Sequence, residues 1–104
     1  MQVSGQAGTA PFMDRLGTLC HEGLGTATYL YQVPDDESQR DKLRQIVEAI
    51  GQDPVVKDRR EFPKIVEEMR NTLAGPATSK SAELLGDGFE RMVKLWQTTR
   101  SGLL

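Results

Sequence analysis

Apolar residues recur at steps of three and four along four segments of this chain, and no segment alternates apolar with polar residues as a strand does. The spacing is clearest at Leu43, Ile46, Val47 and Ile50, which stand at i, i+3, i+4 and i+7. Residues so spaced form one stripe on a helix, and that stripe must be buried against other helices. The sequence therefore predicts an all-α fold, an antiparallel four-helix bundle with an extra short helical turn.

Proline, glycine and capping residues set the predicted limits of these helices. The first helix should run from Pro11 to Gln32, and the second from the turn at 33–36 to Ile50. Asp53 and Pro54 should open the short turn, which ends near Arg60. A third long helix should start at Pro63 and end before Gly75, and the last should follow a cap at Thr78 or Ser79. We expect residues 1–9 to be a flexible tail and residues 10–104 to be a single helical-bundle domain.

The last helix contains a feature that favours an interruption. Gly86 and Gly88 lie within it, and Asp87 with Glu90 resembles a capping pair, so we expect a break and restart at this point.

The apolar stripes of the four predicted helices also predict a shared core. Each helix supplies at least one residue of this core, whose predicted members are Leu16, Ile46, Val66, Phe89 and Trp96.

Composition narrows the class of protein. A chain of 104 residues suits one domain, and a net charge of −2 argues against recruitment of nucleic acid or an anionic membrane. The single cysteine, Cys20, cannot form an internal disulfide, which fits a reducing cytosol. No Cys/His pair has metal-ligand spacing and no apolar run is long enough to cross a membrane. We expect a cytoplasmic protein with no metal or cofactor.

Most familiar catalytic signatures are absent from the sequence. It has no phosphate-binding loop, no dinucleotide glycine fingerprint and no nucleophile elbow. Its acidic residues are scattered, and the adjacent Glu67 and Glu68 would point about 100° apart on a helix. These observations favour a protein that is not an enzyme.

His21, the only histidine, is the exception. On a helical projection it lies about 140° from the centre of the apolar stripe of the first helix, so it should face outward. Gly17 and Gly25 stand one turn before and one turn after it, and residues at i±4 are neighbours on a helix surface. The sequence therefore predicts an exposed imidazole with open space on both sides, where another protein can approach closely.

The segment His21-Glu22-Gly23-Leu24-Gly25-Thr26-Ala27 resembles the phosphoacceptor segment of histidine-phosphotransfer domains, which are helical bundles of about this length. Gly25 and Ala27 match that family's glycine at +4 and small residue at +6, whereas Leu24 replaces its lysine at +3. Glu22 also matches the glutamate that follows the histidine in histidine-kinase dimerisation hairpins, although Thr26 stands where their proline is found. The resemblance covers seven residues. It implies that His21 accepts a phosphoryl group. Taken with the open surface that the helical projection predicts, it leads us to expect that Gly17, Glu22 and Gly25 contact the partner.

Two functions remain open at this point. The first is a non-catalytic helical interaction or regulatory module in bacterial-type signalling, whose glycines at 17, 23 or 25 also allow helices to pack closely in a homodimer. The second is a phosphotransfer protein in a phosphorelay, with a receiver or kinase domain as its partner and His21 as the acceptor. An exposed histidine on a helix also needs no function at all, so the pattern by itself does not decide between them.

Overall fold

The computed structural model describes residues 15–101, with side chains for residues 15–98, and these residues form five helices. The helices are α1 (Arg15–Gln32), α2 (Glu37–Gly51), α3 (Pro54–Lys57), α4 (Glu61–Ala74) and α5 (Ser79–Ser101). No strand occurs within the described range, so the all-α prediction is confirmed. The predicted tail and the predicted helix start at Pro11 lie outside the described residues.

The caps at the starts of α2, α3 and α5 agree with the predicted helix limits, whereas α3 ends at Lys57 and not near Arg60. Asp36 accepts a hydrogen bond from the Gln39 amide at the start of α2, and Asp53 accepts one from the Val55 amide at the start of α3. Thr78 and Ser81 cap α5 reciprocally, since each side-chain oxygen accepts from the other residue's amide. Helix α4 begins at Glu61, two residues before the predicted start at Pro63. Proline fits this position because the amides of a first turn have no partner within the helix.

The expected break in the last helix is wrong, because α5 continues without interruption through Gly86 and Gly88. Packing explains why one of these glycines is tolerated. A Cβ placed on Gly88 would lie 3.0 Å from Sδ of Met69 on α4, so the missing side chain lets α4 and α5 approach each other. A Cβ on Gly86 would meet nothing within 4 Å, and packing within the described chain therefore does not account for that glycine.

One hydrophobic core joins all five helices. The predicted members are confirmed: Leu16, Ile46, Val66, Phe89 and Trp96 are all buried in the same cluster. Helix α1 packs against α2 and α5, and α4 packs against α2 and α5, while α3 contacts α2 and α4. No described helix is long and apolar enough to cross a membrane.

The register of α1 against α5 is fixed by two glycines that lie under aromatic rings. A Cβ on Gly17 would come within 2.4 Å of the Trp96 ring, and one on Gly23 within 2.1 Å of the Phe89 ring. From the first of these contacts to the second, the residue number increases in α1 and decreases in α5, so the two helices run antiparallel. These contacts place Gly25 and Gly86 at about the same level along the pair.

Candidate functional site around His21

His21 lies in the middle of α1 with its side chain exposed, as the helical projection predicted. Its Nδ1 is 2.8 Å from the carbonyl oxygen of Gly17, one turn earlier. A carbonyl oxygen can only accept a hydrogen bond, so Nδ1 must donate and carry the hydrogen. In the neutral imidazole, Nε2 is then the nitrogen with a free lone pair.

Trp96 on α5 contacts the same imidazole from the neighbouring helix. The two ring centroids are 5.7 Å apart and the ring planes meet at 88°, an edge-to-face arrangement. Such pairs are attractive beyond the area that they bury. Trp96 is 6% exposed, so its indole belongs to the core and supports one side of the exposed His21 imidazole.

The expected open space around His21 is present on one side only. Gly25 is exposed and a Cβ added there would meet nothing within 4 Å, which agrees with the prediction. Gly17 is buried beneath Trp96, so the prediction of open space is wrong there and this glycine offers no surface to a partner. The physical reason is that α5 covers the first half of α1 on this side, a contact between distant parts of the chain.

The two glycines of α1 that meet aromatic rings also bear on self-association. Gly17 and Gly23 are buried against α5 of the same chain, so close packing within the chain accounts for both. Of the three glycines expected to lie at a homodimer interface, Gly25 alone is exposed. Self-association through Gly25 stays a prediction.

Glu22 and Leu24, which both lie within the histidine segment, have different surroundings. Leu24 is half-buried and packs against the core, which gives a structural reason for an apolar residue where the resembled family has lysine. Glu22 is exposed and lies beside Gly25 at an open depression of about 520 Å³ between α1 and α2. Thr26, Tyr29, Gln39 and Lys42 complete the lining of this depression.

Hydrogen bonds fix the far rim of that depression. The Tyr29 hydroxyl donates to Oδ2 of Asp36 over 2.9 Å, which raises the pKa of Tyr29 above its ordinary value. Hydrogen bonds from Ser38, Tyr29 and the Gln39 amide lower the pKa of Asp36. Both shifts favour the neutral phenol and the charged carboxylate that this hydrogen bond joins.

No group of three His, Cys, Asp or Glu side chains within residues 15–98 could hold a metal ion. A second groove, of about 430 Å³, lies between α4 and α5 and is lined by Lys64, Ile65, Arg91 and Lys94 among others. The Arg91–Glu68 ion pair, at 2.8 Å, joins the two helices there. The lining of this groove includes charged side chains and Thr98 but no histidine.

Comparison with known proteins gives no relative: no family model, no curated protein and no solved structure matches this chain. The functional interpretation of the candidate site therefore depends on its geometry alone. Sequence analysis assigned Trp96 to the core but missed its contact with His21. The contact joins α1 to α5, and no local spacing in the sequence indicates a pairing between residues so far apart.

Proposed function

We propose that this chain is a helical protein-interaction module in bacterial-type signalling, and that its partner docks on the exposed side of α1 around His21 and Gly25. The observation that carries the proposal is the open space at Gly25. Glycine inside a helix costs up to about 1 kcal/mol relative to alanine. Packing offsets that cost at Gly17 and Gly23, but nothing within the described chain offsets it at Gly25.

A second glycine without a neighbour at its Cβ position lies on α5. Gly86 also has open space where a Cβ would stand, and the register of α1 against α5 brings it to about the level of Gly25. A glycine without neighbours lowers the surface locally, so another backbone or helix can approach there. We further propose that the four longer helices form an antiparallel bundle, supported by the cyclic packing of α1, α2, α4 and α5. Such a bundle presents the α1 face as a rigid docking surface.

Replacing Gly25 by glutamine is expected to abolish partner binding without unfolding the domain, because the added side chain occupies the docking face. Gly25→Ala should stabilise the domain by up to about 1 kcal/mol. Binding would be measured by NMR titration with a panel of isolated receiver domains held in the active form by beryllofluoride. Amide shifts should concentrate at His21, Gly25 and Gly86.

The matched control is Gly75→Gln, since Gly75 is exposed at the end of α4 and its backbone is one that other residues adopt. That variant should bind as the unmodified chain does. Unchanged binding by Gly25→Gln would remove the α1 face as the docking surface. If no receiver domain bound at high micromolar concentration, the signalling assignment would be wrong.

The orientation of His21 favours a second candidate function, in which the module accepts a phosphoryl group on Nε2. The Nε2 lone pair would attack the phosphorus of a receiver's aspartyl phosphate, the P–O bond to the aspartate would break, and the carboxylate would leave with the bonding electrons. The ring gains positive charge in this step. The Gly17 carbonyl, which accepts from Nδ1–H, would stabilise that charge. Lys42 supplies a cation at the depression beside Gly25.

This second function predicts an acid-labile phosphohistidine at residue 21. The chain would be incubated with phosphoramidate, a small donor that needs no docking surface, and examined by ³¹P NMR and intact-mass measurement. One phosphoryl group should appear on the unmodified chain and on Gly25→Gln, and none on His21→Gln. Absence of any phosphohistidine on the unmodified chain would exclude the phosphoacceptor function and leave the docking function to be judged by the receiver titration.

A further inference from the structure

The imidazole of His21 is fixed on two sides by groups that are themselves buried. An exposed side chain on a helix ordinarily samples several rotamers within nanoseconds. Here the Nδ1–H bond to the Gly17 carbonyl directs one edge of the ring, and the Trp96 indole stands against the ring at 88°. The two contacts together leave Nε2 without a hydrogen-bond partner among the described residues.

Gly17 makes both contacts possible. Its carbonyl oxygen accepts the hydrogen bond from Nδ1, at 2.8 Å. Its missing side chain provides the space for the indole, because a Cβ there would lie 2.4 Å from Cζ2 and 2.7 Å from Cε2 of Trp96. Any larger residue at position 17 would displace Trp96 from α1, and with it the ring contact to His21. The three residues thus form one structural unit.

We infer that Trp96 is a positioning residue for His21: it holds the ring in the orientation in which Nδ1–H donates to the Gly17 carbonyl, which keeps the Nδ1–H tautomer and leaves Nε2 available. The inference rests on the proposed phosphoacceptor function and specifies which nitrogen reacts and what orients it. In water the Nε2–H tautomer of histidine is the more populated, so the protein must select the other form. Restricting the ring beforehand removes the cost of ordering it during phosphoryl transfer.

The tautomer of His21 is the direct readout, and it is independent of any phosphorylation. Long-range ¹H–¹⁵N NMR of the full chain, recorded with the imidazole in its neutral form, distinguishes the two tautomers by the nitrogen shifts. The unmodified chain should show Nδ1 protonated and Nε2 bare. Trp96→Leu should show a larger fraction of the Nε2–H form, because the ring can then turn away from the Gly17 carbonyl. Trp96→Phe, which keeps an aromatic ring, should retain the Nδ1–H form.

The same variants would be compared for their rate of phosphorylation by phosphoramidate. Trp96→Leu should react about 2–10-fold more slowly, the factor expected when one side chain is no longer held in place beforehand. Phe89→Leu is the matched control, since Phe89 also covers a glycine of α1 from α5 but has no contact with His21. That control should lose comparable stability and keep both the tautomer and the rate.

Each result separates the positioning role from the proposed function. An unmodified chain with Nε2–H would overturn the inference even if no Trp96 variant folded. A folded Trp96→Leu chain that kept the Nδ1–H form would also overturn it. A tautomer that changes as expected, in a chain that never forms phosphohistidine, would support positioning by Trp96 and refute phosphoryl transfer.

Discussion

Truncating Phe89 to alanine is expected to lower the free energy of unfolding by about 3–5 kcal/mol, because the ring is fully buried and its removal leaves a cavity beside α1. That loss is a large part of the roughly 5–15 kcal/mol that stabilises an ordinary domain. Urea denaturation followed by circular dichroism would measure it. Leu84→Ala on the same helix is the control, since Leu84 is 47% exposed and should change stability by no more than about 0.5 kcal/mol.

Gly23 makes the Phe89 prediction more specific. A Cβ on Gly23 would lie 2.1 Å from Cε1 and 2.3 Å from Cζ of the Phe89 ring, so Gly23→Ala should destabilise the chain by about 1–3 kcal/mol. In the Phe89→Ala background the ring is gone, and Gly23→Ala should then stabilise the helix by up to about 1 kcal/mol. The four chains form a double-mutant cycle with a reversal of sign. Equal effects in both backgrounds would show that Gly23 does not pack against Phe89.

Replacing Arg40 by methionine is expected to lower the free energy of unfolding by about 1.5–3 kcal/mol, the range for a hydrogen bond to a charged group. Arg40 is 3% exposed, and its Nη2 donates to the carbonyls of Leu73 over 2.8 Å and Gly75 over 3.2 Å. Carbonyls at the end of a helix lack partners within it and carry the negative end of its dipole. The guanidinium thus caps α4 from α2. Methionine would remove both hydrogen bonds and leave the Leu73 carbonyl with only the longer contact from Arg44.

Arg44→Met is the matched control for Arg40. Arg44 lies one turn further along α2 and reaches the same Leu73 carbonyl, but over 3.5 Å and from a half-buried position. Its loss should cost less than about 0.5 kcal/mol. Chemical denaturation of both variants would compare them directly. If Arg40→Met were as stable as the unmodified chain, the cost of burying the guanidinium would equal what its hydrogen bonds contribute.

Local spacing and local chemistry determined most of the helical structure. The stripe of Leu43, Ile46, Val47 and Ile50 predicts one buried face of α2, and all four residues are buried there. Asp53 followed by Pro54 predicts a capped short helix, which α3 confirms. The outward position of His21 also follows from the sequence, because a residue opposite the apolar stripe must face away from the core.

The predictions made for Gly17, Gly86 and Gly88 were wrong because the roles of these glycines depend on contacts between distant segments. By local propensity Gly86 and Gly88 weaken a helix equally, yet α5 continues through both, and Met69 on α4 packs against Gly88. Packing across helices overrides propensity here, since burial in the core stabilises α5 more than its glycines weaken it.

The same distinction applies to the candidate site. The sequence alone determined that His21 faces outward with a glycine one turn away on either side. Only the tertiary structure decided that Trp96 covers Gly17 while Gly25 stays exposed to solvent. It also decided that Trp96, a core residue by its spacing, contacts the imidazole. The physical reason is that helical periodicity determines which way a side chain points, whereas the register between α1 and α5 determines what it meets.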